Sequence, residues 1–224
     1  MSFPTTSWSL VVAAGQTPTL EARGALEALC ARYWHPVYAF LRKKGYDIEA
    51  AQDLTQGYFT RLLEKHYLND VHQDRGRFRS FLLASVRHYV ANERDRERTR
   101  RRGNGAVPIP MTDAEGRLRF EPSDASTPES VFEKQWALTV IDHAMRRLQK
   151  QPNFDRLTAL ITDDAASYVK VAEECGMTEG AVRVAVHRMR RRFRDAVRAE
   201  VRETVDGEQE IDDELRFLLA ALET

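Results

Sequence analysis

AASYVKVAEECGMTEGAVRVAVHRMRRRFRDAV, residues 165 to 197, reads as two short helices joined by a tight turn. Ser167 is a good N-cap, and Val171, Ala172 and Cys175 form an apolar stripe that ends at Gly176, the residue type that closes a helix in the left-handed conformation. Thr178 caps a second helix, Glu179 favours its positive end, and Val182, Val186, Met189 and Phe193 follow at spacings of four, three and four on one face. The opposite face is basic: from Arg183 to Arg198 seven Arg oppose one acid, Asp195, for a net of +6. Such a turn between a short helix and a basic one fits a helix-turn-helix, whose second helix enters a major groove N-terminus first.

Working outward, the chain of 224 residues with 42% hydrophobic content is long enough for two small cores. Its formal net charge is zero, but the charge is segregated. Residues 75 to 102 hold ten Arg against Glu93, Asp95 and Glu97, a net of +7, whereas residues 200 to 214 hold eight acids and one Arg, a net of −7. Such segregation points to an electrostatic partner for the basic parts and a different role for the acidic one. Cys30 and Cys175 each fall on an apolar helix face and read as small buried hydrophobes of a reduced, cytoplasmic protein. No apolar stretch approaches the length of a membrane span, so no membrane partner is expected.

Helical periods dominate and strand signals are nearly absent, so the expected fold is all-α, two small helical domains joined by a flexible linker, the second a helix-turn-helix. Residues 1–19 read as a loosely ordered N-terminus. The first domain, 20–102, holds three helices: one from Leu20 to Lys44 with Pro36 marking a kink or restart, one capped by Asp47 and running to about His66, and one from near Phe78. Pro and Gly break residues 103–130 into a linker; the helix-turn-helix domain follows over 131–200, with Val131, Ala137, Val140, Ile141 and Met145 inward on its first helix. An acidic extension closes the sequence over 201–224, carrying an amphipathic helix from Ile211 to Leu222.

Three segments in this order resemble the extracytoplasmic-function subgroup of the bacterial sigma-70 family over about residues 20 to 200. AAQDLTQGYFTRLLEK at 50–65 is similar to the family's clamp-binding helix. RFRSFLLASVRHYVANERDRERTRRR at 77–102 is similar to its promoter-melting helix, and SYVKVAEECGMTEGAVRVAVHRMRRRFRDAV at 167–197 to its reader of the −35 element. The resemblance implies a non-catalytic subunit that binds the clamp of core RNA polymerase, recognises two promoter DNA elements and helps to open the duplex. It carries −35 contacts to Arg183, Val184, His187 and Arg188, and −10 contacts to Val71, His72, Gln73 and Asp74 together with Arg87, His88 and Asn92. Polymerase contacts fall on Asp53 and Gln56.

Here the clamp helix is less acidic than the family pattern, with Ala50, Gln52 and Gly57 where acids are usual. A serine/threonine kinase acting on Thr55 would restore negative charge there, so Thr55 is a candidate phosphosite, an anti-sigma factor being the other expected regulatory partner. The acidic extension could fold back on Arg-rich surfaces or keep the chain soluble. No HExxH, Gly-rich phosphate loop or CxxC cluster appears, so no catalytic residue, metal or cofactor is expected. The competing reading is a conventional dimeric helix-turn-helix regulator, in which the last helix would dimerise.

Overall fold

In the computed structural model the described residues, 20–64, 77–101, 126–162, 167–205 and 207–223, form eight α-helices and one isolated bridge, Arg77 with Val205. The helices are α1 Leu20–Lys43, α2 Ile48–Glu64, α3 Phe78–Arg101, α4 Pro128–Leu148, α5 Phe154–Thr162, α6 Tyr168–Cys175, α7 Glu179–Arg202 and α8 Gln209–Glu223. The all-α expectation holds. The expected linker and N-terminus lie largely outside the described residues.

Local signals place most helix ends. Gly45, at φ 92°, closes α1: its N–H donates to the Arg42 carbonyl at 3.0 Å and that of Tyr46 to Leu41 at 3.3 Å. Asp47 then caps α2, accepting from the Ala50 N–H at 2.8 Å. Thr127 and Ser130 cap α4 reciprocally, each side chain accepting from the other's N–H, with Pro128 at the first helical position. At Pro36, where a kink or a restart was expected, a single helix runs through without a restart.

The chain divides into two units, residues 1–139 with 202–224, and residues 140–201. In the first, α1 packs on α2 and α2 on α3. Tyr33, 1% exposed, organises the core: its ring meets Phe78 edge-on at 4.9 Å and lies 6.3 Å from Phe132. Burial, with the charge of Glu214 adding to it and Arg79 opposing it, pushes the Tyr33 phenol far above its ordinary range. Burial likewise pushes the Cys30 thiol up to about 12, so it behaves as the small hydrophobe its position suggests. Gly57 answers a packing need: a Cβ there would lie 2.6 Å from the Tyr89 hydroxyl oxygen.

The acidic segment set apart as an extension belongs to this first unit. Val205, Ile211 and Leu218 are buried in it, and the Phe78 N–H donates to the Thr204 carbonyl at 3.0 Å. Glu214, 0% exposed, accepts from Arg79 Nε at 2.5 Å and pairs with Arg77 at 3.1 Å. The Arg79 guanidinium in turn lies 3.6 Å over the Phe217 ring and 5.5 Å from that of Trp136. Summed charge hid this arrangement, because α8 spends one of its acids inside and keeps the rest outside.

In the second unit Ala144, Leu148, Leu157, Leu160, Val171, Val182, Val186, Met189 and Val197 are buried. Glu200, 3% exposed, pairs with Arg147 and, at 3.5 Å, with His143 Nδ1. On α4 the inward residues differ from expectation at Ile141 and Met145, which are half-buried, while Phe132, Trp136, Ala144 and Leu148 are buried. A single stripe was too narrow a template for a helix whose two ends belong to different units.

Two stability measurements follow. Glu214→Ala takes the shorter carboxylate contact from two buried or half-buried guanidinium groups, leaving Arg77 with Asp213 at 3.6 Å and Arg79 with Glu133 at 4.0 Å, and is expected to cost up to about 3–5 kcal/mol in urea unfolding; a loss under about 1 kcal/mol would mean that the pairing contributes little. Gly57→Ala is expected to destabilise the wild type through the clash with Tyr89, yet to stabilise a Tyr89→Phe background by up to about 1 kcal/mol. Equal effects in both backgrounds would rule out the contact as the reason for the glycine.

Candidate nucleic-acid interface

The α6–turn–α7 segment is held by the caps its sequence suggested. Ser167 accepts from the Lys170 N–H at 3.5 Å, Gly176 sits at φ 62° with ψ 35°, and its N–H and that of Met177 close α6 on Glu173 and Ala172. Thr178 then caps α7, accepting from the Ala181 N–H at 3.2 Å. With Val182, Val186 and Met189 turned into the core, helical geometry sends the intervening side chains outward. Arg183, Val184, His187 and Arg188, the four residues expected at the −35 element, are all exposed there. Val184, half exposed, is an apolar surface of the kind that contacts a thymine methyl.

The exposed arginines of α7 differ in what they touch. Arg190 donates to the Leu160 carbonyl at 3.3 Å, and Arg192 to the Gln151 side chain, so each is tied to its own unit while remaining exposed. Arg183 is organised differently, with Nε and Nη2 donating to one oxygen of Glu179 at 3.1 and 2.5 Å and its guanidinium 4.5 Å over the Tyr168 ring. Tyr168 and Glu179 were missed as partners of Arg183 in the sequence. The Glu-to-Arg spacing of four was a legible signal for one of them; the ring, from another helix, was not.

In the first unit, Arg87, His88 and Asn92 are exposed on α3, the last two a turn apart. Arg87 donates to Glu129 at 2.7 Å. Burial acts to raise the Glu129 carboxyl, but its hydrogen bonds from Arg87 and from its own backbone N–H outweigh this and hold it below the ordinary carboxylate range. The basic excess of residues 75 to 102 is partly consumed at home: Arg77 and Arg79 on Glu214, Arg87 on Glu129, Arg94 on the Tyr46 hydroxyl at 2.7 Å, and Arg96 on Glu93 at 2.5 Å. Val71, His72, Gln73 and Asp74 lie outside the described residues.

On α2, Asp53 is exposed and Gln56 half-exposed. Thr55 requires correction as an accessible phosphosite: it is 0% exposed, and its hydroxyl donates to the Ala51 carbonyl at 2.6 Å. The folded helix therefore offers no kinase this oxygen, and a phosphate would bring close to two charges into a space filled by a methyl and a hydroxyl.

Among the described residues, no three His, Cys, Asp or Glu side chains converge as a metal site, and no helix is long and apolar enough to cross a membrane. Comparison with known families, with curated proteins and with solved structures finds no match for the chain.

Gly180 separates two roles. Nothing lies within 4 Å of a Cβ built there, so Gly180→Ala is expected to raise stability by up to about 1 kcal/mol. If a phosphate backbone approaches α7 at this turn, the same variant weakens DNA binding while it gains stability, which a melting curve and a titration on one sample check. Unchanged DNA affinity would show that the glycine does not serve close approach.

Proposed function

We propose that the chain is a sigma factor: a non-catalytic subunit that binds core RNA polymerase, contacts −10 and −35 promoter elements and promotes opening of the duplex. The observation that carries the reading is the outer face of α7. A capped, left-handed turn fixes where that helix starts, its apolar side is used up in the core, and Arg183, Val184, His187 and Arg188 stand together in solvent. An element of this kind presents charge for phosphates and planar donors for base edges from one rigid support.

Supporting it in the first unit is α3, where His88 and Asn92 stand one turn apart and exposed, groups suited to stack on or hydrogen-bond unstacked bases. Asp53, exposed on α2, is the charged group assigned to the polymerase clamp. The rival reading as a dimeric regulator needed a helix with a spare apolar face. In α8 Ile211, Leu218 and Ala221 are buried within the chain and Leu219 is its exposed large apolar side chain, a narrower apolar face than that reading called for.

Run-off transcription from a candidate promoter tests the proposal. Core polymerase supplemented with this protein is expected to give a discrete transcript, core alone none, and Asp53→Arg is expected to abolish co-elution with core while leaving the fold intact. Tight binding to palindromic duplexes by the protein alone, with no transcript in the presence of core, would favour the regulator instead.

A further inference from the structure

Four of the five N–H donors of a guanidinium form two parallel pairs, a side edge of Nε with one hydrogen of Nη2 and an end edge of Nη1 with the other. In Arg183 the side edge is occupied, since Nε and Nη2 both donate to the same oxygen of Glu179. One face is covered as well, by the ring of Tyr168 at 4.5 Å. The end edge remains, and its two parallel N–H groups match the spacing of O6 and N7 on a guanine in the major groove.

The exposure of the pair bears on its purpose. The side chains of Arg183 and Glu179 are 61% and 44% exposed, a setting in which an ion pair adds little to stability. Holding a flexible side chain in one rotamer before DNA arrives is a different service, because it lowers the ordering cost of the contact. The carboxylate also repels a phosphate, so an arginine bound to it is better suited to a base edge than to the DNA backbone. Arg190 and Arg192 have no such arrangement and are directed to Leu160 and Gln151.

We propose that Glu179 and Tyr168 are positioning residues that pre-orient Arg183 as a guanine reader, so that the duplex element bound by α7 contains a guanine whose O6 and N7 meet the end edge of Arg183. The inference rests on the reading of the chain as a promoter-binding subunit, and it adds which arginine reads, which base it reads and what aims it.

The test uses the full chain with core RNA polymerase and duplexes randomised across the upstream promoter region. Selection with the wild type is expected to enrich a guanine at one position, and Arg183→Lys to relax that position alone. Replacing the enriched guanine by 7-deazaguanine removes N7 and is expected to weaken wild-type binding about tenfold or more. In Glu179→Ala and in Tyr168→Ala that penalty should fall below about threefold, the factor remaining after most of a bidentate contact is lost, while Tyr168→Phe, which keeps the ring, restores it. A merely structural role would weaken binding to both probes alike. If the wild type enriches no sequence, the proposal and the promoter reading fall together. Enrichment of a guanine whose 7-deaza penalty survives in Glu179→Ala overturns the proposal alone.

Discussion

A carboxylate with no exposure to water is tolerable only if its charge is answered on the spot, and Glu214 is answered twice, by Arg79 at 2.5 Å and Arg77 at 3.1 Å. Both arginines stand at the start of α3, so the interaction that satisfies one side chain also fastens α8 to the helix on which the exposed His88 and Asn92 are carried. Arg79 cannot be exchanged for a simple point charge. Its planar group lies over Phe217 while its edge serves Glu214, and only a guanidinium does both at once. The bond from Phe78 to Thr204 and the bridge from Arg77 to Val205 extend the same junction through the backbone.

This junction changes what the charge distribution means. A net of zero built from basic and acidic blocks suggests two surfaces that face outward. Part of the imbalance is instead cancelled inside each unit, through Glu214 in the first and through Glu200 with Arg147 in the second. On α7 the arginines at 183, 188, 190, 191, 192 and 194 all stay exposed, but Arg183, Arg190 and Arg192 are also held by partners of their own unit. What α7 offers a polyanion is placement, Arg183 and Arg188 beside Val184 and His187, more than total charge.

Much of the fold was legible because its signals are local. Caps at Asp47, Ser167 and Thr178 and the left-handed closure at Gly176 depend on a few neighbouring residues, and each appears where the residue types suggested. That α7 turns a basic face outward followed from periodicity; the four residues expected to contact DNA on it came from the resemblance to a known family. What escaped was long-range. The partner of Glu214 lies 135 residues away, and the Tyr89 hydroxyl that explains Gly57 comes from another helix. Thr55 is a different case: it stands four residues after Ala51, three before Tyr58 and seven before Leu62, on the buried stripe of its own helix, so its inward direction was legible from periodicity. At Pro36 the restart that a local rule allowed does not occur: one helix runs through it, with Tyr33 and Val37 buried on either side.

The first unit is assembled from two stretches of chain separated by the whole of the second, since residues 202–224 complete what residues before 140 begin. On a ribosome, which emits about 5–20 residues per second, the earlier stretch must wait some seconds for α8 to emerge. During that interval Arg79 has Glu133 but lacks Glu214, and the first unit lacks the buried Ile211 and Leu218. The order of synthesis therefore makes the appearance of α8 the event that finishes the first unit, after the residues of α7 have already left the tunnel.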